Sequence, residues 1–124
     1  MLIGFPFRLF HKLFVQWILG VDIDEKVIIG PGLTIFHGQG LVINPGTIIG
    51  NNVILRHNTT IGNKTKGGGS PRIGNNVEIG TSAVIIGEIN IGENSIIGAG
   101  TIVTKDVPAN SIVYGNPFKI VKRL

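Results

Sequence analysis

Between Ile43 and Val107 aliphatic side chains recur at every sixth position, with polar residues, glycine and asparagine between them. At one phase the chain reads Ile43, Ile49, Leu55, Ile61, Ile73, Ile79, Ile85, Ile91, Ile97 and Val103. Glycine follows directly at six of these steps, and the fourth residue on is small or β-branched, as at Val53, Thr59, Val77, Ala83, Ile89, Ser95, Thr101 and Val107. A helix does not account for this pattern, because residues six apart walk around a 3.6-residue turn and form no single stripe. Glycine at 19 of 124 positions weakens long helices further. A fixed repeat of this length predicts a parallel β-helix. Four or five residues, at about 3.3 Å each, make one short side, and the remainder turn the corner. Three sides close a coil whose interior takes the aliphatic column. Each buried Ile or Val contributes roughly 1.5–3 kcal/mol, so stacked coils stabilise one another where one alone would not fold. Nothing in the period sets the hand, and general sheet physics favours right-handed crossovers.

One stretch precedes the period and two break it. Phe5 to Leu19 reads as a helix with a narrow polar stripe of Arg8, His11, Lys12 and Gln16, the rest covered by Phe5, Phe7, Leu9, Phe10, Leu13, Phe14, Trp17, Ile18 and Leu19. So wide an apolar face is not left in water. It packs on the first coil or a neighbouring subunit, or makes peripheral membrane contact through residues 5–19 with its cations toward lipid phosphates. It is too short and too interrupted for a transmembrane span, and it lacks the basic start and small-residue cleavage site of a signal peptide. The chain divides accordingly into an N-terminal amphipathic helix, residues 1–20, and a β-helix domain, residues 21–124, with a C-terminal cap over the last unpaired edge. Within the β-helix, Ile35 to Ile43 is eight residues instead of six, the excess falling in Phe36-His37-Gly38-Gln39-Gly40. Asn63 to Arg72, with Lys64-Thr65-Lys66-Gly67-Gly68-Gly69-Ser70-Pro71 inside it, adds about one further hexad. Loops held on a rigid scaffold are where chemistry sits.

Composition narrows the classes. At 43% hydrophobic and 15% charged residues the chain is too apolar for disorder, and a solenoid of this size hides further surface in an oligomer. The absence of cysteine removes disulfides, thiolate metal sites and a cysteine nucleophile, and is compatible with the cytoplasm, at or away from the inner face of the membrane. The net charge of +4 is clustered, with Lys64, Lys66 and Arg72 around one loop and Lys119, Lys122 and Arg123 near the end. Such clusters suit a phosphate-bearing small molecule. Aromatic residues are not interleaved with the basic ones, so nucleic acid is not an expected partner.

Residues 21 to 121 resemble the left-handed β-helix (hexapeptide-repeat) acyltransferases. Among these they look most like serine acetyltransferases and the related O-acetyltransferases of bacterial exopolysaccharide synthesis, the colanic acid type included. Three pieces carry the resemblance: Val21-Asp22-Ile23 with His37 fifteen residues after Asp22, the Gly-rich excursion between Thr60-Ile61-Gly62 and Pro71-Arg72-Ile73-Gly74, and Asp106-Val107-Pro108 with Val113-Tyr114-Gly115-Asn116-Pro117. The resemblance implies an all-β, left-handed parallel β-helix with a short N-terminal helix. It also implies a homotrimer that binds acetyl-CoA as co-substrate between neighbouring solenoids and requires no metal. On that reading His37 is the general base and Asp22 orients it. Gly80, Gly98 and Ala99 line the pantetheine channel, and Lys64, Lys66, Lys105 and Lys119 face the adenosine phosphates. Gly67 and Gly68 present backbone N–H groups to the cofactor. A backbone N–H near Gly38 or Gly40, or one from the Gly67-Gly68-Gly69 loop, stabilises the oxyanion. His57, Phe36 and Ser70 touch the acceptor.

The residue chemistry agrees with such a transfer. A hydroxyl is a poor nucleophile at neutral pH and needs a base as it attacks a thioester, and imidazole is the side chain whose ordinary titration lies nearest neutrality. A carboxylate on its second nitrogen holds the tautomer. The acceptor is read from departures. Serine acetyltransferases have Asp just before the catalytic His and an Arg-His pair before the loop proline. Here Phe36 and Ser70 stand at the Asp and His positions, the Arg is absent, and only one short helix replaces a large N-terminal helical domain. Lost hydrogen-bond partners cost discrimination for a charged amino acid. The expectation is therefore O-acetylation of a saccharide hydroxyl in surface polysaccharide biosynthesis, with serine O-acetylation as the alternative and a non-catalytic β-helix scaffold behind both. A three-histidine metal centre like that of γ-type carbonic anhydrases does not suit the wide spacing of His11, His37 and His57.

Overall fold

The computed structural model of the protein describes residues 4–10, 13 and 20–124. The hexads fold as short strands separated by tight corners. The first coil comprises β1 (Asp22–Ile23), β2 (Ile28–Ile29) and β3 (Thr34–Phe36), and the second β4 (Val42–Ile43), β5 (Ile48–Ile49) and β6 (Ile54–Arg56). The third holds β7 (Thr60–Gly62), β8 (Arg72–Ile73) and β9 (Glu78–Ile79), and the fourth β10 (Val84–Ile86), β11 (Asn90–Ile91) and β12 (Ile96–Ile97). The fifth runs through β13 (Ile102–Val103), an isolated bridge at Val107 and β14 (Ser111–Gly115), after which β15 (Phe118–Arg123) folds back antiparallel on β14.

Stacking these coils builds three parallel faces: β1-β4-β7-β10-β13 on face A, β2-β5-β8-β11 on face B and β3-β6-β9-β12-β14-β15 on face C. This is the parallel β-helix that the six-residue period predicts. Its register is the hexad phase itself. Ile43 pairs with Ile61, Ile61 with Ile85 and Ile85 with Val103 on face A. Ile49 pairs with Ile73 and Ile73 with Ile91 on face B. Ile79 pairs with Ile97 and Ile97 with Val113 on face C. All of these residues are buried, and so are the smaller Val53, Thr59, Val77, Ala83, Ser95 and Thr101 four positions on. Bulky and small columns thus share a narrow interior.

The corners follow from backbone conformation. Between faces B and C, Gly32, Asn52, Asn76, Asn94 and Asn110 all have positive φ. Asparagine is the residue other than glycine that tolerates this left-handed region best, because its short side chain hydrogen-bonds locally. The N–H groups climb the stack, Asn76 to the Asn51 carbonyl at 2.8 Å and Asn94 to that of Asn75 at 2.9 Å.

At the N-terminus a seven-residue helix, α1 (Gly4–Phe10), meets the first coil through Arg8 Nε and Glu25 Oε2 at 2.9 Å. Both side chains are exposed, so this pair adds at most about 1 kcal/mol. His11, Lys12, Phe14, Gln16, Trp17, Ile18 and Leu19, expected to continue the helix, lie outside the described residues. Among the described residues no helix is long and apolar enough to cross a membrane.

The column model is tested by paired substitutions. Ile85→Ala, at a fully buried position, is expected to cost about 2–5 kcal/mol in denaturant unfolding. Ile28→Ala, at a position 63% exposed, is expected to stay within roughly 0.5 kcal/mol of the parent. Equal effects would contradict the assignment of faces.

Candidate active site

The two-residue excess lies at the corner between faces C and A, where β3 hands over to β4. His37 has φ of 69°, Gly38 58° and Gly40 72°. Three short backbone hydrogen bonds close the turn: Gly38 N–H to the Phe36 carbonyl at 3.0 Å, Gln39 N–H to that of His37 at 2.6 Å and Leu41 N–H to that of Gly38 at 3.1 Å. Gly38 is buried, and a methyl group there would lie 3.3 Å from Val21 Cγ2 and 3.4 Å from Ile35 Cγ2. The glycine anchors the turn inward while His37 stands exposed beside it. A histidine held at positive φ is a sparsely populated conformation of the kind that clusters at functional sites.

The excess also sets the register of the next coil. Ile35 pairs with Leu55 and Phe36 with Arg56, which carries His57 over His37. Their ring centres are 5.8 Å apart and the planes are nearly perpendicular, at 87°. His57 is fixed from below, its carbonyl accepting from Ser82 N–H at 3.2 Å and Thr81 Oγ1 at 2.9 Å. Its Nδ1 is buried without a hydrogen-bond partner among the described residues. A buried polar atom left this way is costly and calls for an explanation. Asp22 opens β1 beside this turn. Its N–H donates to the Leu41 carbonyl at 2.8 Å, and its neighbour Val21 is the residue against which Gly38 packs. His37, His57, Phe36 and Asp22 are thus gathered at one corner.

Further down the same edge come Gly80, then Gly98 and Ala99. Coil stacking alone demands the two glycines. A Cβ at Gly80 would meet the Ala99 backbone, and one at Gly98 would fall on the Tyr114 ring. The oxyanion donors expected near Gly38 and Gly40 are corrected by the structure. Gly38 N–H is committed to Phe36, and Gly40 N–H donates to the Gly20 carbonyl at 2.7 Å.

Phe36, 46% exposed, has the Arg56 guanidinium 5.5 Å from its ring centre. Arg56 is fully engaged elsewhere too, with Nη2 at 2.8 Å from Glu78 Oε1 and Nη1 donating to the Ile79 carbonyl at 3.3 Å. Arg56 and Glu78 were not among the expected site residues, and no spacing in the chain singles them out.

The Gly-Lys excursion sits at the other end of face A, between β7 and β8. Lys64, Lys66, Gly67 and Gly68 are exposed there, and Gly68 N–H closes a turn on the Thr65 carbonyl at 2.9 Å. Ser70 Oγ donates to the Pro45 carbonyl at 2.9 Å. Lys105 projects near the same corner with Nζ 5.9 Å from the Phe118 ring centre, whereas Lys119 lies on β15 of face C. Within one chain the loop residues and Lys105 do not converge on His37, because four or so residues of face A, roughly 13 Å, lie between the corners.

The family model for bacterial transferase hexapeptides (six repeats) matches residues 70–105. Over 110 residues, 87% of the chain, the sequence is 39% identical to serine acetyltransferase 2 of Arabidopsis thaliana. The fold superposes on soybean serine acetyltransferase complexed with serine (39% identity, TM-score 0.86, 94% of this chain and 49% of that one). It superposes equally on serine acetyltransferase of Brucella abortus strain S19 in complex with coenzyme A (34% identity, TM-score 0.89, 95% and 48%). The chain is a hexapeptide-repeat protein, serine acetyltransferase-like. It spans about a third of the Arabidopsis relative, 34%, and about half of each solved chain. In this hexapeptide-repeat protein the His37 corner is fixed by packing as well as by backbone conformation. Gly40 and Gly67 both have positive φ, but a Cβ at Gly40 would collide with Asn58 Oδ1 while one at Gly67 meets nothing within 4 Å. Thermal unfolding is expected to fall clearly further for Gly40→Ala than for Gly67→Ala, which carries only the local strain of about 1–2 kcal/mol. The reverse order would refute the packing of this turn.

Proposed function

We propose that the protein is an acetyl-CoA-dependent O-acetyltransferase with His37 as general base and serine as acceptor. The observation that carries this reading is the corner at which the exposed, conformationally constrained His37 stands beside the His57 ring, with Asp22 opening β1 next to them. In the reaction His37 takes the acceptor hydroxyl proton as the oxygen attacks the thioester carbonyl. The tetrahedral intermediate then expels the coenzyme A thiolate, which receives that proton from the imidazolium. Asp22 keeps the imidazole oriented, and His57 bounds the acceptor side. Serine is supported by relatives that carry its name and by a neighbour complexed with it. In this respect the comparisons favour the alternative of the sequence reading over the saccharide acceptor placed first there.

One observation favours the second reading. At the position next to His37, where a carboxylate would grip an ammonium group, Phe36 offers a partly exposed ring, and the Arg56 cation behind it is already neutralised by Glu78. A sugar's apolar ring face stacks on such a surface.

The loop cations and His37 occupy different corners, so a site using both is completed by a neighbouring copy, as in the expected homotrimer. His37→Ala should lower turnover by about 10²–10⁴ while calorimetry still detects coenzyme A binding; near-parental turnover would end the general-base assignment. Mixed trimers of His37→Ala with a variant lacking residues 64–69 should regain about one quarter of parental activity, the chance that an intact loop meets an intact histidine across an interface. Complete absence of recovery would place all groups of the site in one chain.

A further inference from the structure

A concave feature opens at the corner between faces A and B, under the Gly-Lys excursion. It is a cavity of about 140 Å³ lined by Ser70, Arg72, Glu88, Ile89 and Asn90. Its walls come from adjacent coils. Arg72 opens β8 and pairs with Asn90 of β11, and Arg72 N–H donates to the Ile89 carbonyl at 2.9 Å. Buried Ile89 forms the floor. Ser70 is pinned over the top by its bond to Pro45.

The charges of this cavity are uncommitted. Among the described residues the ion pairs join Arg8 to Glu25 and Arg56 to Glu78, and neither Arg72 nor Glu88 takes part in either. An arginine and a glutamate therefore line one small cavity without neutralising each other. Glu88 reaches its place because residue 69 is glycine: a Cβ there would stand 2.8 Å from Glu88 Cβ, Cγ and Cδ. The loop backbone thus lies along the glutamate stem.

We infer that this cavity binds a free α-amino acid through both of its charges, the carboxylate on Arg72 and the ammonium group on Glu88. A guanidinium fork matches a carboxylate in two parallel hydrogen bonds, and a carboxylate complements an ammonium group. The volume is about four to five times the roughly 30 Å³ share of one liquid water, which suits an amino acid as small as serine. A neutral sugar presents neither charge. The inference rests on the serine-acetylating reading above and supplies the zwitterion grip that Phe36 does not provide at the His37 corner. With the loop meeting a neighbouring copy, the cavity brings the acceptor to that copy's His37.

The test is calorimetry on the intact protein with L-serine, O-methyl-L-serine, L-serine methyl ester and N-acetyl-L-serine, together with steady-state kinetics of Arg72→Gln and Glu88→Gln. Both substitutions are at exposed positions, and circular dichroism checks the fold. Serine and O-methylserine are expected to bind alike, and the ester and the N-acetyl compound at least tenfold more weakly. Each variant is expected to raise the Kd and KM for serine tenfold or more, leaving the KM for acetyl-CoA within about twofold. Gly69→Ala, which pushes Glu88 aside, should raise the KM for serine in the same direction. A rise confined to the KM for acetyl-CoA, making Arg72 a phosphate contact, overturns the inference. If serine is acetylated with unchanged KM in both variants, the cavity assignment falls and the serine reading stands. If serine binds through Arg72 and Glu88 but is never acetylated, the cavity assignment stands and the acceptor reading falls.

Discussion

Every part of this molecule depends on one coil resting on the next. Strands of two or three residues are far too short to form a stable sheet by themselves, and each coil's outward N–H and C=O groups are satisfied only by the coils above and below. The same stacking buries the aliphatic columns. Backbone ladder and hydrophobic column therefore share a single spacing, so a side chain out of phase breaks both at once. The left-handed corners at Asn52, Asn76, Asn94 and Asn110 hold that spacing, because a corner that opens would tilt every strand after it.

Such regularity gives irregularities their meaning. Successive coils on face A bring Ile43 opposite Ile61 and Ile85 opposite Val103, eighteen residues on in each case. Where the step is longer, as from Ile35 to Leu55 or from Ile61 to Ile85, the surplus has been pushed to a corner. One surplus is small and rigid and holds a histidine in an uncommon backbone conformation. The other is long, exposed and cationic. They stand at opposite ends of face A, and it is this geometry, more than any composition argument, on which the proposal of a site shared between copies rests.

The architecture was legible because a buried column leaves its trace at every sixth residue, and Ile61, Ile79, Ile85 and Ile97 sit in the structure where the period puts them. The position of His37 was legible as a break in that period. The pairing of His37 with His57 was not recognised, although the signal was present: twenty residues is one coil of eighteen plus the surplus at His37. Gly80 and Gly98 carried an ambiguity that only packing resolves, since a glycine under a ring and a glycine beside a ligand look alike in a sequence. Arg56, Glu78 and Glu88 were invisible for another reason. Whether a surface charge is paired depends on side chains one coil away, and the hexad pattern is silent about outward positions.

The Gly-Lys excursion leaves the faces on either side of it in phase. Thr60 and Arg72 enter and leave it as members of faces A and B in unbroken register with the coils above. For a flexible loop, doubling the length costs only about 0.6 kcal/mol, so the core is nearly indifferent to how long this segment is or what it carries. The β-helix with His37 and His57 forms a fixed chassis, and the loop is a fitting that can be lengthened, shortened or recharged without shifting a single coil. What the loop presents can therefore change independently of the corner that holds His37.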